Sequence, residues 1–150
     1  MKLSLTQRAY IAGFLDADGS IYVRAKPNPT YRFGYQIAPY IVFYQSSKSN
    51  VFKNMYSILP FGKVRIRNDG VTEFIVSKRD DLVEFVQIIE PFLILKQKQI
   101  TLLKKILKAK ELVQDEKDFE KILQLCNEFQ NLNYSKKRKI RTLIPVETEC

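Results

Sequence analysis

Ile11-Ala12-Gly13-Phe14-Leu15-Asp16-Ala17-Asp18-Gly19 runs a short apolar helical pattern, dotted with small residues, directly into two carboxylates and a glycine. Upstream, Ser4 and Gln7 have capping-box spacing, so a helix is expected from Leu5 to Ala17. Tyr10, Ile11, Phe14 and Leu15 carry its bulk. Ala9, Gly13 and Ala17 recur every four residues, with Ala12 and Asp16 alongside, and such a stripe lets another backbone come close. An acid in the last turn faces the negative end of the helix dipole, a placement disfavoured by about 0.3 to 1 kcal/mol unless a positive group sits beside it. Asp18 therefore reads as a cation ligand, with Asp16 the other candidate.

After Gly19 the period changes from 3.6 to 2, as Ile21, Val23 and Ala25 alternate with Ser20, Tyr22, Arg24 and Lys26. A turn over Pro27 to Thr30 leads to a second extended stretch, Arg32 to Tyr44, with Ile37, Ile41 and Phe43 on one side. Pro39 within it implies an edge strand or a bulge. A helix over Asn50 to Leu59 stops at Pro60. Lys63, Arg65 and Arg67 then alternate with Val64 and Ile66, and Asn68-Asp69-Gly70 turns the chain into a strand over Thr72 to Ser77. Three amphipathic helices follow at Asp80 to Ile89, Gln97 to Leu112 and Lys117 to Leu132. The order predicts an α+β fold, a four-stranded antiparallel sheet with helices on one side and a free, basic face on the other.

A chain of 150 residues, 45% of them hydrophobic, holds one core, so a single domain is expected, with a core of about residues 4–132 and a basic segment over 133–150. The net charge of +9 is unevenly placed. Eight bases and no acid lie between Gly19 and Asn68, whereas Asp81 to Cys150 carries 13 bases against 11 acids. The acid-free block marks a surface that meets a polyanion. A two-stranded ribbon fits the major groove of DNA, about 12 Å wide, and alternate side chains on one face reach base edges. Tyr22, Arg24, Lys26, Asn28, Thr30, Arg32, Gln36, Lys63, Arg65 and Arg67 are the expected readers. Lys48 extends the set, as do Lys139 and Arg141 in the cationic run Lys136 to Arg141, a kind of segment that wraps a nucleic-acid backbone. No 18-residue apolar run and no signal-peptide core are present, so an intracellular protein of a prokaryotic cytoplasm or an organelle, without membrane partners, is expected. Cys126 reads as core. The absence of histidine argues against His-dependent nucleases.

Ile11 to Gly19 resembles the LAGLIDADG motif that names a family of homing endonucleases, and the αββαββα order around it matches that family's core, here followed by two C-terminal helices. Gln45 and the run Pro91-Phe92-Leu93-Ile94-Leu95-Lys96-Gln97-Lys98-Gln99 resemble the single-motif, homodimeric branch, so the likeness spans roughly residues 4–142. The resemblance implies an intron-encoded, site-specific DNA endonuclease making metal-dependent double-strand breaks at a long pseudo-palindromic site. An intron RNA maturase or a non-cleaving DNA-binding regulator on the same fold is the alternative. It implies further that two copies of the helix pack along Ala9, Ala12, Gly13, Asp16 and Ala17 in a two-fold homodimer, bringing two Asp18 side chains together. Asp18 and the Ala17 carbonyl would hold Mg²⁺, with Mn²⁺ as the alternative ion and Ca²⁺ binding without supporting cleavage. Asp16 is chiefly structural in this reading. Gln45 and Lys96 resemble the polar residues around the attacking water, where an amide orients it and a cation stabilises developing charge. A further basic residue of the family falls opposite Ser49, next to Lys48.

Overall fold

The computed structural model describes residues 3–48 and 51–141, with the backbone alone for residues 51–53, 56 and 134–141. Helix α1 (Leu5–Asp18) begins as its sequence dictates, with the Ser4 hydroxyl accepting from the Gln7 amide while the Gln7 side chain accepts from the Ser4 amide. It ends at Gly19, whose N–H donates to the Leu15 carbonyl and whose backbone is already extended. A Cβ at Gly19 would lie 2.3 Å from Leu15 Cδ1 and 3.0 Å from the Val42 carbonyl. Only glycine lets the chain pass from helix to strand here with no connecting loop.

Strands β1 (Gly19–Pro27) and β2 (Tyr35–Ser46), helix α2 (Val51–Ile58), and strands β3 (Lys63–Ile66) and β4 (Val71–Val76) follow. Helix α3 (Arg79–Ile89), a single 3-10 turn over Glu90–Phe92, helix α4 (Gln97–Leu112) and helix α5 (Glu116–Arg141) complete the order. The sheet is antiparallel throughout, in the order β1-β2-β4-β3. This is the expected α+β arrangement, αββαββα with two further helices.

Alternation along the strands sends Ile21, Val23, Ile37, Ile41, Phe43, Phe74 and Val76 to one face, where they meet Ile11 and Leu15 of α1, Leu82 and Phe85 of α3, and Ile100, Leu103 and Ile106 of α4. Phe43 sits among Phe14, Phe74 and Phe85, with ring centroids 5.2 to 6.1 Å apart. Buried aromatic pairs at such spacing contribute about 0.5 to 1.5 kcal/mol each beyond their burial. The helices cover this face, which leaves the other open.

Three expectations change. Pro39 lies in a central strand whose ladder to β1 runs without a bulge from Gly19 opposite Phe43 to Pro27 opposite Tyr35. The β4 ladder reaches only Ile41, so at Pro39 the strand has one neighbour and its missing N–H costs nothing. The connection between β1 and β2 is longer than a four-residue turn. It folds on itself from Asn28 to Gly34, whose φ of 83° requires glycine, and closes with a bond from the Asn28 amide to the Gly34 carbonyl. Helix α5 continues past Leu132 to Arg141, because no glycine or proline interrupts it and the bases at its end suit the dipole.

Cys126 is buried against the core, and burial pushes its thiol pKa from the ordinary 9.0 up to about 11, with the nearby Lys110 charge opposing the shift. The folded thiol thus keeps a proton that the unfolded chain loses near pH 9. Stability associated with Cys126 is present below that pH and is lost as pH rises toward 11, at up to about 1.4 kcal/mol per unit. Urea denaturation of wild type and Cys126→Ala at pH 8 and 10.5 should show the smaller decline in the variant.

Candidate active site and nucleic-acid interface

Asp18 is the last residue of α1 and its carboxylate is exposed. Because Gly19 pairs with Phe43, β2 passes the helix end two residues later, at Gln45. There Gln45 Nε2 donates to Asp18 Oδ2 at 3.3 Å. Two residues back, Asp16 Oδ2 accepts from the amides of Ile94 (2.7 Å) and Leu95 (3.1 Å), and Oδ1 from the amide of Lys96 (3.1 Å). Lys96 Nζ in turn donates to the Asp16 carbonyl at 3.0 Å. The segment is also fixed from its other end, where Gln97 Nε2 donates to the carbonyls of Glu90 and Leu93. The structure therefore gathers Asp18, Gln45 and Lys96 at one helix end. The Lys96 ammonium, set on a terminal carbonyl, is the positive group that the awkward pair of acids required.

This cross-tie gives Asp16 a definite job. Charge-assisted bonds of this kind contribute about 1.5 to 3 kcal/mol, and removing the carboxylate strands three amides. Asp16→Ala should lower stability by at least about 2 kcal/mol. Its kcat should fall further than its DNA affinity, as the Lys96 amide loses the carboxylate that fixes it; equal losses in both would show that the tie supports the fold alone.

The donor set at the helix end suits a hard divalent cation. Asp18 accepts a long bond from Gln45 and faces solvent, and Ala17 lies among the last four carbonyls of α1, which have no intrahelical donor. Among the described residues no cluster of three or more His, Cys, Asp or Glu could enclose a metal ion by itself.

Along α1, Ala9, Gly13 and Ala17 are exposed, and a Cβ built on Gly13 meets nothing within 4 Å. Two residues expected on this pairing surface are placed otherwise. Ala12 is fully buried in the chain's own core, because a helix this tightly packed turns position 12 inward with Ile11 and Leu15. Asp16 turns its carboxylate to the 94–96 segment, as above.

On the open sheet face, register aligns Tyr22 with Tyr40, Arg24 with Ala38, Lys26 with Gln36, Tyr44 with Glu73, and Glu73 with Arg65. The cations rest on tyrosines: Lys26 Nζ donates to Tyr40 Oη at 2.7 Å, and the Arg24 guanidinium lies 5.5 Å from the Tyr22 ring. Burial, followed by the neighbouring Tyr44, raises the Tyr22 pKa, and burial followed by Glu73 raises that of Tyr44. Both phenols stay protonated as donors. Lys63 and Arg65 are exposed on β3. The face is not purely basic, since Glu73 on β4 pairs with Arg65 at 3.6 Å and Arg67 at 3.5 Å, and Asp69 also pairs with Arg67. Sequence reasoning missed Tyr40, Tyr44 and Glu73. Extending the alternation that begins at Gln36, and reading across from Arg65, would have found them.

The β1–β2 connection holds Asn28, whose Oδ1 accepts from the amide and hydroxyl of Thr30. Arg32, expected as a reader, is engaged within the chain: it donates to the Gln114 carbonyl in the α4–α5 connection at 2.7 Å, and its guanidinium lies over the Phe33 ring, 4.6 Å from the centroid. Lys48 is exposed just after β2. Lys139 and Arg141 lie in the last turns of α5, where only the backbone is described, and Ser49 lies outside the described residues.

The family model described as LAGLIDADG endonuclease matches residues 11–109. The chain is 35% identical over 134 residues to DNA endonuclease I-CreI of Chlamydomonas reinhardtii, covering 87% of this chain and 80% of that protein. It is 32% identical over 133 residues to DNA endonuclease I-CvuI of Chlorella vulgaris, covering 88% and 83%. The crystal structure of I-CvuI in complex with its target, in the presence of Ca, superposes with a TM-score of 0.80 at 29% identity over 85% of this chain and 82% of that one. The motif, the strand order and these likenesses agree, and the chain belongs to the LAGLIDADG endonuclease family.

Proposed function

We propose that this chain is a site-specific DNA endonuclease, a homing endonuclease that acts as a two-fold homodimer and makes metal-dependent double-strand breaks. The observation that carries the proposal is the meeting of Asp18, Gln45 and Lys96 at the end of α1, next to a sheet face built from tyrosine, arginine and lysine. Asp18 and the Ala17 carbonyl would hold a divalent cation, Mg²⁺ or in its place Mn²⁺, with Ca²⁺ binding but not supporting cleavage. When bound, it would neutralise phosphate charge and make water nucleophilic at neutral pH. Gln45 orients the water through its amide, and Lys96 adds positive charge where the transition state becomes more negative.

Exposure of Ala9, Gly13 and Ala17 supports pairing of α1 with its two-fold mate. Strand β1 spans nine residues, so the reading hairpin reaches about 30 Å from Asp18, or about nine base pairs, and a dimer covers about twice that. No described helix is long and apolar enough to cross a membrane, and a DNA substrate puts the protein inside a cell or organelle. The retained Asp18 favours cleavage over an RNA maturase or a DNA-binding regulator. Incubation with a randomised duplex library and Mg²⁺, Mn²⁺ or Ca²⁺, followed by sequencing of cleaved ends, tests the proposal. It expects breaks at one long, nearly palindromic sequence with the first two ions; enrichment of bound but uncut duplex in all three would assign the regulator role.

A further inference from the structure

The tip of the β1–β2 hairpin is the part of the reading surface farthest from Asp18, and it is held from behind. Phe33 stacks on Phe119 of α5 with ring centroids 4.9 Å apart and planes 22° from parallel, and Tyr35 stacks on the same ring at 6.2 Å. The Arg32 guanidinium lies over the Phe33 ring, 4.6 Å from its centroid, and donates to the Gln114 carbonyl. Thus the 28–34 segment, which has its own internal bonds, is clamped to the α4–α5 connection and the first turn of α5.

From this juxtaposition we infer that Phe119 and Arg32 are positioning residues for base discrimination in the outer part of each half-site. Neither needs to read a base. Bidentate base contacts discriminate by about 1 to 3 kcal/mol only while donor and acceptor stay in line, so a loop that swings loses selectivity at the pairs it faces. An arginine that is already bound to a carbonyl and stacked on a ring is poorly placed to reach a phosphate, which separates this role from the more obvious one. Asn28 and Thr30, whose side chains already bond each other, are the groups being aimed.

The inference rests on the DNA-cleaving reading proposed above, and the experiment keeps the two apart. Phe119→Leu keeps the site apolar and removes the stack; Arg32→Met keeps cover over Phe33 and removes the donor and the charge. Both variants, the double variant and wild type would be profiled on every single-base variant of the target site, with the salt slope of binding and native-state amide exchange at Tyr31 and Gly34. The expected result is a loss of base preference of about fivefold or more at the outer pairs, preference at the inner pairs retained, an unchanged salt slope, faster exchange at both amides, and a double variant no worse than either single one. A uniform affinity loss with a salt slope reduced by about one in Arg32→Met would make Arg32 a phosphate contact and overturn the inference. So would an unchanged profile or unchanged exchange. If wild type itself proves to have no preferred site, the endonuclease reading fails, and amide exchange alone decides whether the clamp orders the loop.

Discussion

Cleavage by an Asp18→Asn protein is expected to fall by more than a hundredfold, a factor of about 100 being the upper range for residues that merely support a metal ligand, while DNA affinity stays within a fewfold of wild type. The asymmetry follows from geometry. Asp18 is one exposed carboxylate at a helix end, held among the described residues by one long bond from Gln45, so the amide replaces it without disturbing the fold. In the proposed function, affinity would come instead from the tyrosine, arginine and lysine side chains of the sheet. Because the two copies would share one catalytic centre, a heterodimer with one Asp18→Asn subunit should also be impaired. Filter binding and plasmid cleavage, run on the same preparation, check both halves; a variant that cuts at the wild-type rate would remove Asp18 from the site.

Gly13→Leu is expected to convert the protein to a folded, inactive monomer. A Cβ at position 13 points into open space within its own chain, so leucine costs the single subunit nothing and gains about 1 kcal/mol of helix propensity over glycine. Against a two-fold mate the same side chain would hold the helices apart and separate the two Asp18 residues. Sedimentation velocity should show the dimer lost at concentrations where wild type is paired, with the monomer still unfolding in one cooperative thermal transition and cleavage below detection. An intact, active dimer would place the stripe against something other than its symmetry mate.

The contrast between Gly13 and Ala12 shows what the sequence could and could not say. Spacing by four residues brings Ala9, Gly13 and Ala17 onto one line, and the structure leaves all three exposed. Ala12, one residue from Gly13, belongs to the inward arc, but small size alone does not reveal direction. Binary alternation likewise predicted which side of β1 faces out, down to Tyr22, Arg24 and Lys26. It said nothing of partners across the sheet, so Glu73 between Arg65 and Arg67 escaped notice, being 8 and 6 residues away in sequence. The acidic end of α1 was legible because the motif concentrates it in nine residues. The tie from Asp16 to residues 94–96 was not, since a contact across about 80 residues leaves no local periodic trace. The bond from Arg32 to the Gln114 carbonyl left no trace for the same reason, its partner lying 82 residues away in sequence.

The absence of any loop between α1 and β1 has a consequence for how a cut is placed. Asp18 is followed directly by Gly19, the first residue of β1, and a Cβ at that glycine would press on Leu15 and on the Val42 carbonyl. Under the proposed function, helix and strand would form a ruler whose zero mark is the scissile phosphate. The offset between the bases recognised and the bond broken would then be a covalent distance, set by residue count and strand rise, so changing which bases are preferred would leave the phase of the break where it was. Inserting a single residue after Asp18 would shift that phase, and would also turn every reading side chain of β1 to the opposite face.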